Sequence, residues 1–302
     1  MTTTAREERE GPPDTACDAQ AITQSTANFS PRAKRWRNAG KRAYSLGQRS
    51  LQGMIELVYP SLCLLCEQPL DVPFHDAMYC WSCRRRHLTA LSSACYRCAA
   101  RLPYRWHGEQ RLPMVRREQT AEGCPDCRRE KWAFSRTVAL GSYFGRWRDH
   151  VYELKRPNRH VEAFQAGKLL AYPLLQSEWQ TDYDALLPVP SHFRRRWSRG
   201  FNPAEEIAKG ISWMTELPLL KNAVVCDRFA GKQGQLTRQQ RLENVHGIFR
   251  IALPERLRGR SIILVDDVMT TGATMNQLAR SCRRAGIARV AVAVVARACS
   301  QY

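Results

Sequence analysis

The stretch Ile262–Met275, IILVDDVMTTGATM, admits few folds. Ser261 to Val265 is apolar and β-branched, which predicts a strand buried on both faces in the middle of a parallel sheet. Asp266 and Asp267 follow at its carboxyl end. Ligands of open α/β sheets bind beyond that end of the strands. Two adjacent buried carboxylates are costly unless something occupies them. Thr270, Thr271, Gly272, Ala273 and Thr274 then make a turn into a helix expected to begin near Thr274. Small side chains let a ligand approach the backbone. The amides of such a turn and the helix N-terminus attract an anion, and the Thr hydroxyls add donors. Acceptors beside a phosphate cradle suit a sugar phosphate, with carboxylates for vicinal ribose hydroxyls and the loop for the 5′-phosphate.

The surrounding pattern predicts the rest of an α/β domain. RTVALGSYF, YDALLPVP, KNAVVCD and ARVAVAVVAR read as strands, the second stopped by Pro188 and Pro190. WRDHVYELK, VEAFQAGKLLAYPLLQ and TMNQLARSCRRAG read as helices, the last ending at Gly286. NPAEEIAKGISWMTE carries start signals for another helix: Asn202 as N-cap, Pro203 in the first turn and Glu205 three residues after the cap. Strands alternating with helices predict a mainly parallel sheet flanked by helices on both faces. Between strand and capped helix lies a loop with Arg194, Arg195, Arg196 and Arg199, which fits a diphosphate site and equally a solvated basic loop. GKQGQLTRQQRLENVHGIF reads as a lid supplying Gln235, Arg238, Arg241 and Asn244, or as a long surface connection.

Eight of the 12 cysteines form four C-x-x-C pairs: Cys63/Cys66, Cys80/Cys83, Cys95/Cys98 and Cys124/Cys127. Two such knuckles supply four thiolates in the tetrahedron zinc prefers, so eight ligands imply two structural zinc ions. Neighbouring pairs give the simplest sharing, and the spacing also admits a crossed one. Iron–sulfur ligation and a redox C-x-x-C fit less well, because the spacing lacks a cluster-type run and four repeats exceed what a redox site needs. No leader-like or membrane-spanning run of about 18 apolar residues is apparent. The chain is therefore expected in the reducing cytoplasm, where repeated C-x-x-C indicates metal. The expected organisation is a disordered tail over 1–48, a Cys-rich zinc-binding domain over 49–134 and the α/β domain over 135–302. The formal net charge of +19 favours polyanionic partners. Tyr96, Tyr104 and Trp106, interleaved with Arg97, Arg101 and Arg105, suit a single-stranded nucleic acid track; the same segment also suits a docking domain with a basic surface.

Ile262 to Thr274 resembles the signature that binds phosphoribosyl pyrophosphate (PRPP) in type I phosphoribosyltransferases. CLLC near the start, the further Cys pairs, PVP…RRRWSRGFNPAEEIAK, the Gln…Asn-Val segment and VDDVMTTGAT together resemble the ComF-type proteins over about residues 51–297. The resemblance implies a type I phosphoribosyltransferase-like fold preceded by a small zinc-ribbon domain. It implies PRPP binding, with Asp266 and Asp267 on the ribose hydroxyls and Thr270, Thr271, Gly272, Ala273 and Thr274 on the 5′-phosphate. Lys155, Arg194 and Arg199 are then expected to hold pyrophosphate, with Mg2+ bridging diphosphate and ribose. It also implies a link to natural competence, with single-stranded DNA or DNA-processing proteins as partners. Two functions follow from it: phosphoribosyl transfer to an unidentified acceptor, or PRPP sensing without turnover by a protein that engages DNA through its zinc domain. The insertion RLPYRWHGEQRLPMVRREQTAEG, between the third and fourth Cys pairs, departs from the family pattern.

Overall fold

The structure is a computed structural model. It describes residues 61–70, 78–85, 94–102, 104–107, 110–113, 123–175, 182–191, 199–226, 249–252 and 254–298. The tail 1–48, residues 49–60, Arg194–Arg196 and the lid-like residues 231–247 lie outside them.

In chain order the elements are β1 (Tyr104–His107), β2 (Gln110–Pro113), α1 (Pro125–Arg129), β3 (Thr137–Ser142), α2 (Arg146–Leu154), α3 (His160–Leu175) and β4 (Ala185–Pro188). Then come α4 (Pro203–Thr215), β5 (Val224–Cys226), β6 (Phe249–Ile251), α5 (Pro254–Leu257), β7 (Ser261–Met269), α6 (Ala273–Arg284) and β8 (Arg289–Arg297). Four strands form one parallel sheet in the order β3-β8-β7-β4. β1 and β2 form an antiparallel hairpin inside the insertion, and β5 pairs antiparallel with β6.

The near-continuous apolar runs are explained by burial on both faces. Leu140, Leu186, Ile263, Val265, Ala291 and Ala293 turn to one face, where α2, α3 and α4 pack. Their neighbours Ala139, Leu187, Ile262, Leu264, Val290 and Val292 turn to the other, against α6 and Leu257. Alternation along each strand therefore loads two cores with one sheet. Asn202 caps α4 as expected: its side chain accepts from the Ala204 amide at 3.3 Å. Gly286, at φ 87°, follows the end of α6.

α3 and α4 approach backbone to backbone at a pair of glycines. A Cβ on Gly210 would lie 2.0 Å from the Phe164 carbonyl oxygen, and one on Gly167 would lie 2.0 Å from that of Ile207. Neither atom can move without moving its helix. Gly210→Ala is expected to cost about 3 kcal/mol and lower Tm by roughly 6–12 °C in a calorimetric melt. An unchanged Tm would show that the helices separate freely.

His150, buried on α2, meets the Tyr79 hydroxyl at 2.9 Å. Burial pushes its pKa down from 6.5 to about 4. The unfolded chain takes up this proton below about 6.5, while the folded chain resists until about 4. Stability tied to His150 is thus intact above pH 6.5 and lost as pH falls towards 4, by about 3 kcal/mol. Urea unfolding of wild type and His150→Gln across that window should show a shallower slope in the variant. Parallel curves would remove the assignment to His150.

Candidate functional site

Because the sheet is parallel, the ends of all four strands meet at one edge. β4 stops pairing with β7 at Pro188↔Val265, whereas β8 continues to Met269↔Arg297. Asp266 and Asp267 thus emerge where β7 has lost its neighbour on one side. The strand runs on through the Asp pair to Met269, beyond the apolar run Ser261–Val265 that predicted it. Asp267 is buried, and its Oδ2 lies 3.3 Å from Lys155 Nζ at the C-cap of α2. Residues 112 positions apart are so joined at one site. Asp266 Oδ1 accepts from the Asp267 amide at 2.9 Å, which fixes that carboxylate relative to the backbone.

The turn after β7 has the features of an anion cradle. Gly272 takes φ 79° as the N-cap of α6, a conformation that favours glycine. Thr271 Oγ1 accepts from the Ala273 amide at 3.3 Å and keeps its own hydrogen to donate. The helix begins at Ala273, one residue before the expected start. Arg199 is half-buried just before α4, and Arg194 lies outside the described residues.

The site also recruits residues that motif reading passed over. Tyr143 follows β3, and burial, the Tyr152 hydroxyl and the charge of Asp267 push its pKa up to about 12. Arg297 ends β8 buried, donating from Nε to the Cys98 carbonyl at 2.9 Å and from Nη1 to the Met269, Thr270 and Ala298 carbonyls. Trp132 lies over Gly272, where a Cβ would meet its ring at 2.8 Å. A charge closing an otherwise apolar strand was the signal for Arg297; Trp132 had none.

The cysteines gather as Cys63, Cys66, Cys80 and Cys83, and as Cys95, Cys98, Cys124 and Cys127, with ligand atoms in each group within 4.8 Å of one another. Neighbouring pairs are thus shared, and the crossed arrangement is excluded. Sulfur separations of 3.6 Å (Cys66–Cys80) and 3.7 Å (Cys98–Cys124) approach the roughly 3.8 Å edge of a zinc–thiolate tetrahedron. Backbone amides of Cys80 and Cys124 point at Cys63 and Cys95 sulfur, each at 3.3 Å. Hydrogen bonds with the Cys124 sulfur hold the Cys95 thiol far below its ordinary range and drive Cys98 far above it. Such thiols can share protons or share a cation. Each group could therefore hold one zinc ion.

The two groups are anchored differently. Cys63 and Cys83 belong to the core packed with Val151 and Leu154 of α2. The second group forms its own small cluster, joined to Trp132. Tyr96 is tied to β3: its hydroxyl accepts from Arg136 Nη1 at 2.9 Å, and the same guanidinium lies over its ring. Among the described residues, no helix is long and apolar enough to cross a membrane.

A phosphoribosyl transferase domain model matches residues 197–302. Competence protein F of Haemophilus influenzae is 26% identical over 227 residues, covering 72% of this chain and 96% of that protein. DNA utilization protein YhgH of Escherichia coli K12 is 28% identical over 239 residues, covering 78% and 96%.

The chain is similar to the ComF-type proteins, and its residues 197–302 match a phosphoribosyl transferase domain.

Among solved structures, the glutamine PRPP amidotransferase of B. subtilis, complexed with ADP and GMP, aligns at 21% identity and TM-score 0.34. That alignment covers 48% of this chain and 30% of the solved one.

Proposed function

We propose that this protein binds PRPP with magnesium at the sheet edge and transfers its phosphoribosyl group to a nucleophilic acceptor. The observation that carries the reading is the convergence of the Asp266–Asp267 pair, Lys155 and the turn 270–274 on one edge. Asp266 and Asp267 accept the ribose hydroxyls. The amides of 270–274 and their hydroxyls hold the 5′-phosphate. Lys155, Arg194 and Arg199 hold the diphosphate. Magnesium bound with PRPP beside Asp266 and Asp267 would offset the charge of the leaving diphosphate.

In the reaction, the bond from the anomeric carbon to the diphosphate oxygen breaks and its electron pair leaves with the diphosphate. The acceptor's lone pair forms the new bond, and its proton passes to solvent or a base. Positive charge develops on the ribose between those steps. Two carboxylates in a partly desolvated site stabilise it there. Lys155 tempers their mutual repulsion before the sugar arrives.

Calorimetric titration of PRPP and magnesium into zinc-replete protein tests the binding. Pyrophosphate release with nucleobases, amines or DNA tests the transfer. A folded protein that gives no heat of binding ends the proposal.

A second reading keeps PRPP binding but replaces turnover with the engagement of single-stranded DNA in the cytoplasm. Its support is the net charge of +19 and relatives named for competence and DNA utilization. Arg105→Glu with Arg111→Glu, in the β1–β2 hairpin, should then weaken oligonucleotide binding and flatten its salt dependence. The hairpin is the right target, since removing the whole Cys-rich segment would also remove core residues Cys63, Leu65, Tyr79 and Cys83. Unaltered binding by that variant would exclude the hairpin.

A further inference from the structure

We propose that the second four-cysteine group is a positioning centre for the phosphate loop. Metal held by Cys95, Cys98, Cys124 and Cys127 and a phosphate ester held at 270–274 then bind cooperatively, with Arg297 as the linking residue. The inference rests on the reading that this loop takes the phosphate of PRPP.

An anion cradle works only if its backbone amides point at the ligand. In a planar trans peptide the carbonyl and the following N–H point in opposite directions. A donor that holds carbonyls from behind therefore turns the next amides outward. Arg297 does this to consecutive peptides. Its Nη1 donates to the Met269 carbonyl at 3.1 Å and to that of Thr270. The amides so oriented belong to Thr270 and Thr271, the first two residues of the cradle.

The other edge of the same guanidinium is tied to the cysteine knuckle. Arg297 Nε donates to the Cys98 carbonyl at 2.9 Å. Cys98 is a ligand of the group, so metal loss frees the backbone atom that aims Arg297. A second connection runs from the fourth knuckle. Trp132, five residues after Cys127, lies against Gly272. The next amide, Ala133, donates to Asn276 Oδ1 at 2.7 Å, and Asn276 Nδ2 donates to the Lys131 carbonyl at 3.4 Å. The loop and the first turn of α6 are thus held from two sides by chain that adjoins the second cysteine group. The first group is an internal control, because it packs in the core on the opposite face of the sheet.

Linkage between two ligands is reciprocal. PRPP must therefore slow the loss of metal from the second group. The experiment challenges zinc-loaded, full-length protein with a zinc-selective chelator, with and without saturating PRPP and magnesium. Freed thiols are trapped with N-ethylmaleimide and located by peptide mass spectrometry. The expected result is labelling at Cys95, Cys98, Cys124 and Cys127 slowed at least about fivefold by PRPP, with Cys63, Cys66, Cys80 and Cys83 little changed. Arg297→Lys keeps the charge but cannot span both sets of carbonyls, so it should abolish the difference.

Equal slowing at both groups would mean general stabilisation and would overturn the inference. So would protection that persists in Arg297→Lys. No protection in a wild type that calorimetry shows to bind PRPP would overturn the linkage and leave the proposed function standing. No PRPP binding at all would bring down both.

Discussion

Changing Cys83 to Ser, or chelating zinc from zinc-loaded, full-length protein, should lower Tm by at least about 10 °C. Cys63, Leu65, Tyr79 and Cys83 are continuous with the core formed by Val151, Leu154, Leu170 and Ile263. Without a cation, the four cysteine sulfurs, within 4.8 Å of one another, must share protons or separate. Separation would pull Tyr79 away from His150 and open the packing over α2. Structural zinc sites contribute on the order of 10 kcal/mol of apparent folding free energy. Even a fraction of that produces this shift in a domain of such size. Differential scanning calorimetry before and after chelation reads the effect. An unaltered melting curve after verified zinc removal would show that the core holds without the knuckle.

Asp266→Asn combined with Asp267→Asn should weaken binding of PRPP with magnesium by at least about 100-fold. Each carboxylate that accepts from a sugar hydroxyl is worth about 1.5–3 kcal/mol, so losing the charge at both exceeds the roughly 2.7 kcal/mol needed for that factor. Asn is nearly isosteric with Asp, so the Asp266 contact with the Asp267 amide can be kept by the side-chain oxygen. The Lys155 ion pair is lost, but Lys155 Nζ lies 3.3 Å from its partner at a quarter-exposed position and can turn to solvent. The double variant should therefore stay folded, and circular dichroism checks this beside the titration. Binding within threefold of wild type would remove the carboxylates from the sugar site.

Chain order and spacing carried much of the architecture. Alternating apolar runs and helical segments predicted a parallel sheet with helices on both faces, since a strand buried on two sides must be apolar throughout. Pro188 and Asn202 marked a strand end and a helix start, because ring closure and side-chain capping act locally. The Asp pair, the small-residue turn and the eight cysteines were legible for the same reason. Each is a short-range chemical requirement written in neighbouring residues.

What the sequence by itself determined, then, was most of the strands and helices of the α/β domain, the small-residue turn 270–274 and the two sets of thiols. Tertiary structure alone decided which distant groups complete them. Lys155 reaches Asp267 because α2, which follows β3, packs against β8 and β7 near their carboxyl ends. Arg297 reaches both Cys98 and Thr270 because β8 pairs beside β7 as far as Met269. Trp132 covers Gly272 because only a glycine leaves room for its ring. The two four-cysteine groups, alike in sequence, become a piece of the core and a satellite beside Trp132. Short-range chemistry is local and can be read along a chain; charge pairing and close packing act through space, between residues that only the fold makes neighbours.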